Sequence, residues 1–127
     1  MRLLLDTHIF MWASGFPGVT LAPIKAALTD PGNMLYVSAA TAWEIAIKVR
    51  QGRLAFPVAD FFVMVETIGA DLLDMTPIHA LEAGSLPPLH ADPFDRMLVA
   101  QARLEGMTLV TVDRTIPQYD VTVLAEG

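Results

Sequence analysis

The sequence contains no cysteine, and this absence excludes two classes of small protein. A chain without cysteine is not a disulfide scaffold, and it cannot hold zinc or an iron–sulfur cluster through thiolates. Charged residues are also scarce, at 17% of the chain against about 25% in an average globular domain. Because hydrophobic residues reach 54%, we expect another chain to cover part of the apolar surface.

Long apolar runs are also missing. No stretch of about 18 apolar residues is free of charges or helix breakers, so the sequence predicts no transmembrane helix. Segment 1–6 is too short and becomes acidic too early to be a secretory signal peptide, and we expect a cytoplasmic protein. The net charge of −6 argues against a nonspecific nucleic-acid coat, which is usually basic. It leaves open an enzyme whose clustered acids hold metal ions.

Short apolar segments alternate with helical patterns along the chain. Strands are predicted at 2–5, 34–37, 70–75, 108–112 and 121–124, and helices at 20–29, 38–50, 58–68, 77–83 and 93–105. This alternation is typical of an α/β domain with a mainly parallel sheet. We therefore predict a single domain over residues 1–127, with a five-stranded sheet flanked by helices.

The helix predicted at 93–105 carries two acids at its start. Asp92 suits the N-cap, Pro93 suits the first helical position, and Asp95 falls in the first turn. His90 is expected to orient this turn. The pattern places two carboxylates at the mouth of a largely buried helix.

Other acids follow the predicted strands. Asp6 ends the first strand, Asp113 follows the fourth, and Glu44 lies in the helix after the second. Ligands of parallel α/β sheets lie at the carboxyl ends of the strands, so these acids could converge on one edge with Asp92 and Asp95. Oxygen ligands without cysteine favour hard divalent cations, Mg²⁺ or Mn²⁺.

Each acid also has a structural interpretation. Asp6 and Asp92 are good helix caps, Asp95 suits the positive end of a helix dipole, and Asp113 could open a turn. Glu44 is different, because it lies among apolar residues where an unpartnered carboxylate would be costly to bury.

Four segments together match a known pattern: Leu4-Leu5-Asp6-Thr7-His8, Ser38-x-x-Thr41-x-Trp43-Glu44-Ile45, His90-Ala91-Asp92-Pro93-Phe94-Asp95-Arg96 and Thr111-Val112-Asp113. On these residues the chain resembles a PIN-domain ribonuclease, of the kind found as VapC-type toxins of bacterial toxin–antitoxin pairs. The resemblance extends almost from end to end, and its third segment is the most specific.

The resemblance implies a metal-dependent endoribonuclease with metal-activated water as the nucleophile. The family's acidic quartet corresponds to Asp6, Glu44, Asp95 and Asp113, as ligands for Mg²⁺ or Mn²⁺, with Asp92 as an added ligand or a cap. Supporting and substrate-binding roles are implied for two further sets, Thr7, Thr111 and Ser38, and Arg96, Lys48 and His8. The implied partners are an RNA substrate, a cognate antitoxin protein and a second copy of the chain in a homodimer.

Two alternatives stay open at this point. One is a PIN-like scaffold without catalysis that only holds a protein partner, although retention of all four acids disfavours it. The other concerns the apolar residues Phe56 and 61–65, which could bind a partner helix or belong to the core. His79 is expected to have a surface or capping role.

Overall fold

The fold is a five-stranded, wholly parallel sheet with helices on both faces, seen in a computed structural model that describes residues 1–18 and 21–124. The strands are β1 (Arg2–Leu5), β2 (Met34–Ser38), β3 (Ala70–Leu73), β4 (Thr108–Val110) and β5 (Val123–Leu124). The helices are α1 (Thr7–Ala13), α2 (Ala22–Thr29), α3 (Ala39–Arg50), α4 (Phe61–Thr67), α5 (Pro77–Ser85) and α6 (Pro93–Glu105). Short 3-10 helices occupy Val58–Asp60 and Ile116–Gln118. The predicted α/β class, sheet and strand number are confirmed.

The strand order β3-β2-β1-β4-β5 puts the first strand in the middle. The chain builds outward from β1 to β3 on one side and then returns to build β4 and β5 on the other. The order therefore reverses between β1 and β4, and such a switch point opens a crevice at the carboxyl ends of the strands. Leu5 pairs with Val110, so Asp6 and Thr111 follow their strands at this crevice.

Alternation along β1 divides the core into two layers. Leu3 and Leu5 pack with Phe10 and Ile24 on one face, whereas Leu4 packs with Leu98 on the other. All three leucines of β1 are fully buried. Each such side chain contributes about 1.5–3 kcal/mol to folding, so the central strand is a rigid base for the residues that follow it.

Several predicted boundaries were too generous. The strands predicted at 70–75, 108–112 and 121–124 are shorter, and the helix predicted at 58–68 begins as a 3-10 turn. The fourth strand ends at Val110 because the Thr111 side chain then turns to Asp6 and to the backbone of Asp113. The first residue of the predicted helix 20–29 and the last three residues of the predicted domain lie outside the described residues.

The apolar stretch around α4 divides between core and surface. Phe56, Phe61 and Val65 are buried, but Phe62 and Val63 are exposed by 69% and 63%. No helix in the described part of the chain has the length and apolar character needed to cross a bilayer. The surplus of hydrophobic residues is thus partly displayed on the surface, as the composition predicts.

Candidate active site

Asp6 is fixed at the junction of β1 and α1. Its Oδ1 accepts a hydrogen bond from the Ile9 N–H at 2.8 Å, as a helix cap does, and its Oδ2 accepts one from the Thr111 hydroxyl at 2.6 Å. The side chain is buried. Burial raises the pKa of Asp6 above its usual range, although both hydrogen bonds oppose this shift. The carboxyl group is therefore held in one orientation, in surroundings that favour a nearby cation.

Glu44 lies beside it on the second turn of α3 and is equally buried. Its Oε1 accepts a hydrogen bond from the Thr7 hydroxyl at 2.6 Å, and its Oε2 pairs with Lys48 Nζ at 2.6 Å. We refer to Asp6 and Glu44 as the inner pair. Each carboxylate of the inner pair is held by a threonine hydroxyl, so the sequence orients both before any ligand binds.

Asp95 and Asp113, the outer pair, are bridged by a histidine. His90 Nε2 lies 3.0 Å from Asp95 Oδ2 and 3.2 Å from Asp113 Oδ2. Asp113 is oriented further by the Thr115 N–H, which donates to its Oδ1 at 2.7 Å. Within the described ranges, His90, Asp95 and Asp113 form a group whose ligand atoms lie within 4.8 Å of one another, as a metal site requires.

The proton on His90 can be assigned from its neighbours. The Asp92 N–H lies 3.2 Å from His90 Nδ1, which must therefore act as the acceptor and carry no proton. Nε2 then carries the proton and donates toward both carboxylates of the outer pair. Coordination of a metal through Nε2 would force the proton onto Nδ1, against the Asp92 N–H. His90 is thus a hydrogen-bond donor here, and the carboxylates are the groups suited to a cation.

The two members of the outer pair differ in their ease of ionisation. Burial, reinforced by the charge of Asp92, raises the pKa of Asp95 to about 7. Burial also disfavours ionisation of Asp113, but hydrogen bonds from Thr115 and His90 outweigh it and lower the pKa of Asp113. The outer pair can thus hold a proton on Asp95 near neutral pH, and a divalent cation would displace it.

All four acids belong to one electrostatic cluster. The charge of Glu44 opposes ionisation of Asp6, and the charges of Asp6 and Asp113 oppose ionisation of Asp95. Thr111 connects the two pairs, because its hydroxyl donates to Asp6 and accepts from the Asp113 N–H at 3.0 Å. The structure therefore brings together the four acids that the sequence places at different strands and helices.

The supporting residues divide into those that contact the acids and one that does not. Thr7 and Thr111 hydrogen-bond to the inner pair. Ser38 instead caps α3 through the Ala40 N–H and donates to Gln101 at 2.6 Å. Asp92 acts as the N-cap of α6, with Oδ1 accepting from the N–H groups of Phe94 and Asp95. A ligand role for Asp92 stays a prediction.

Arg96 does not face the acids, which corrects its predicted role in binding substrate. Its guanidinium donates to the backbone carbonyls of Ala83, Leu86 and Pro87 at 2.9 Å. It therefore ties the end of α5 to α6, and its charge is not free to meet a phosphate. The next side chain in a helix points about 100° away, so adjacency to Asp95 was a poor guide to direction.

The other two predicted substrate-binding residues lie at the rim. His8 is exposed and directly follows Thr7, which hydrogen-bonds to Glu44 of the inner pair. The Lys48 side chain is 29% exposed and bound to Glu44. Sequence reasoning expected His90 only to orient the Asp92 turn, which the Asp92 contact confirms, and it missed the bridge to Asp113. That bridge joins residues 23 apart and depends on the tertiary fold.

The fold and the acidic crevice define a parallel α/β protein whose site is built to attract cations. Residues 3–121 match the model of the PIN domain family, and this chain belongs to that family. It is 33% identical to Ribonuclease VapC22 of Mycobacterium tuberculosis, covering 92% of this chain and 91% of that protein.

Solved structures share the fold at lower identity. The structure of VapBC2 from Rickettsia felis, bound to a DNA fragment from their promoter, matches with a TM-score of 0.71 at 16% identity. DNA-bound VapBC from Salmonella typhimurium matches with a TM-score of 0.67 at 16% identity. Both matches cover 98% of this chain and 98% of the matched one, so the likeness is not confined to one part of the fold.

Proposed function

We propose that this chain acts as a single PIN domain with metal-dependent endoribonuclease activity, and that it is the toxin of a toxin–antitoxin pair in the cytoplasm. The observation that carries the proposal is the convergence of Asp6, Glu44, Asp95 and Asp113 at the switch point of the sheet. The 33% sequence identity of this chain to Ribonuclease VapC22 favours RNA as the substrate.

The donor set fits a hard divalent cation, Mg²⁺ or Mn²⁺. The four carboxylates offer oxygen ligands, and the chain has no cysteine to offer sulfur. The Lys48 ammonium group and the His90 N–H already lie against oxygens of Glu44 and Asp95. A divalent ion in such a site supplies an activated water and stabilises negative charge on phosphate oxygens. Asp6, Glu44, Asp95 and Asp113 would hold it, and Asp92 is a further proposed ligand.

The protein's own groups have separable tasks. Thr7 and Thr111 hold the inner pair in orientation, and Ser38 fixes the start of the helix that carries Glu44. His8 and Lys48, at the rim of the site, are assigned to contacts with RNA phosphates, a role typical of basic side chains. The burial of Asp6 and Glu44 keeps bulk water from competing for their hydrogen bonds to Thr111 and Thr7.

The proposed partners are an RNA, an antitoxin encoded beside this chain, and a second copy of the chain. The names of the VapBC relatives and the resemblance to VapC-type toxins support the antitoxin. Exposed apolar side chains such as Trp43, Phe62 and Val63 support a protein partner in general. The sequence gives no base-reading motif, so the RNA target is left to experiment.

The test is cleavage of a mixed pool of structured and unstructured RNA by the purified, antitoxin-free chain. We expect cuts with Mg²⁺ or Mn²⁺ that vanish with excess chelator and in Asp6→Asn and Asp95→Asn. Asp71→Asn, an exposed acid on β3, is the matched control and should cut like the wild type. Cleavage that survives in both site variants would refute the assigned site. A folded wild type that cuts nothing with any metal would favour the non-catalytic binding module.

A further inference from the structure

A buried chain of hydrogen bonds crosses the core outside the acidic site. Ser38, Gln101 and His79 are all almost completely buried. The Ser38 hydroxyl donates to Gln101 Oε1 at 2.6 Å, and Gln101 Nε2 donates to the Asp74 carbonyl at 3.2 Å. A buried amide that satisfies its polar groups in this way strongly constrains its neighbours, because each lost bond leaves an unpaired group.

The chain continues through His79 to the surface. Gln101 Nε2 also lies 3.3 Å from His79 Nδ1, which accepts from the Thr76 N–H at 3.1 Å, and His79 Nε2 lies 2.8 Å from Glu105 Oε1. Donors and acceptors therefore alternate in one direction from Ser38 to Glu105. The predicted capping role of His79 is confirmed, but its ring is buried and belongs to this network.

The network joins the two helices that carry one acid of each pair. Ser38 is the N-cap of α3, six residues before Glu44, and Gln101 lies in α6, six residues after Asp95. Six residues correspond to about 9 Å along a helix, so each acid lies less than two turns from this hydrogen bond. A shift of either helix at the bond therefore moves its acid by a comparable amount. The Trp43–Phe94 ring contact between the same helices, with centroids 5.3 Å apart, is apolar and tolerates sliding far better than a hydrogen bond.

We propose that Gln101 is a positioning residue: its hydrogen bonds to Ser38, Asp74 and His79 fix α3 against α6 and so set the separation of Glu44 and Asp95. The inference rests on the proposed function, because it assigns these two acids to one metal site. Gln101 touches neither the acids nor the substrate and acts only through the two helices.

The first experiment measures Mn²⁺ affinity by calorimetry in Gln101→Met, which keeps the length of the side chain and removes both polar groups. We expect the dissociation constant to rise about tenfold, as for the loss of outer-shell partners of metal ligands. Val65→Ala and Phe61→Leu, in the core layer that contains no residue of α6, are controls that lower stability while leaving the Ser38–Gln101 hydrogen bond in place. They should leave the constant within about twofold of the wild type. An unchanged constant in Gln101→Met, or an equal rise in controls of matched stability, would overturn the proposal.

A second readout does not depend on metal or RNA. Because the chain has no cysteine, Arg50→Cys and Leu104→Cys place single spin labels at exposed positions near the ends of α3 and α6. Gln101→Met should broaden the distance distribution between the labels, whereas Val65→Ala should not. An unbroadened distribution refutes the positioning role. A wild type that has a narrow distribution but neither binds Mn²⁺ nor cuts RNA refutes the proposed function alone.

Discussion

The inner and outer pairs of acids solve the same electrostatic problem in different ways. The inner pair is buried, a threonine hydroxyl holds each carboxylate, and Lys48 also pairs with Glu44. The outer pair is more open, and the His90 Nε2–H group bridges its two carboxylates. The raised pKa of Asp95 lets this pair also hold a proton near neutral pH. The comparison indicates that the inner pair is oriented by fixed hydrogen bonds before a metal arrives. In the outer pair, Asp95 would exchange a proton for the metal.

Among substitutions outside the four acids, the largest effect is expected from the one that removes Thr111, the residue that connects the pairs. Thr111→Val deletes the hydroxyl that donates to Asp6 and accepts from the Asp113 N–H. The buried Asp6 carboxylate would lose a partner at a cost of about 1–3 kcal/mol, and the partly buried Asp113 N–H would lose one at a smaller cost. We expect a loss of about 2–4 kcal/mol in the free energy of unfolding and a 10–100-fold loss of RNA cleavage, since misplaced ligands weaken metal sites to about that extent.

Chemical denaturation and initial rates of cleavage check this prediction, with Thr122→Val as the control. Thr122 has an exposed side chain on the approach to β5, so the same substitution there should change neither quantity appreciably. Near-wild-type cleavage by Thr111→Val would show that the inner pair needs no support from β4.

The second prediction concerns pH and the outer pair. The pKa of Asp95 is about 7 in the folded chain and lies near 3.8 when unfolded, so the folded state binds the extra proton. Stability from this group is present at low pH and is lost as pH rises from about 4 to about 7. Asp95→Asn, which never ionises, should therefore be more stable than the wild type at pH 8 by about 1–3 kcal/mol, and the gain should disappear at pH 4.

Thermal and urea unfolding at both pH values, without metal, test this expectation. The exposed Asp71→Asn should show no such pH-dependent gain. Equal stability of wild type and Asp95→Asn at pH 8 would mean that Asp95 ionises at little cost. Asp95 would then be ready for a cation without losing a proton.

The third prediction separates metal binding from RNA binding at Lys48. Its ammonium group pairs with Glu44 Oε2, so it competes with a cation at this oxygen, and we propose that it also contacts phosphate. Lys48→Met should tighten Mn²⁺ binding by about 3–10-fold, since one partly screened charge at this range is worth about 1 kcal/mol. The same variant should raise KM for RNA. Lys25→Met, on exposed α2, is the control, and weaker Mn²⁺ binding in Lys48→Met would contradict the competition.

The smallest effect is expected at the rim. His8 is exposed, and its side chain makes no hydrogen bond within the described residues. His8→Ala should raise KM for RNA by about threefold, the size of a single exposed contact, with kcat and stability unchanged. A fall in kcat with unchanged KM would place His8 in the chemistry instead of in substrate binding.

Sequence patterns predicted the parts of the molecule that local physics determines. The apolar strands and the Asp92 cap of α6 depend on neighbouring residues, and both are present. Three other features depend on which surfaces meet in the fold: the direction of the Arg96 side chain, the bond of Ser38 to Gln101 and the contact of His90 with Asp113. The acids were predicted because parallel strands direct the residues at their carboxyl ends to one crevice, whereas no comparable rule governs the buried amide of Gln101.

The central claim is that inner and outer pairs form one divalent-metal site. The most direct test is a titration of the wild type, Asp6→Asn and Asp113→Asn with Mn²⁺. The electron paramagnetic resonance signal of free Mn²⁺ measures how much of the ion stays unbound. Each variant changes one acid of one pair. We expect each to bind Mn²⁺ at least about tenfold more weakly than the wild type. Undiminished binding by either variant would contradict a single shared site.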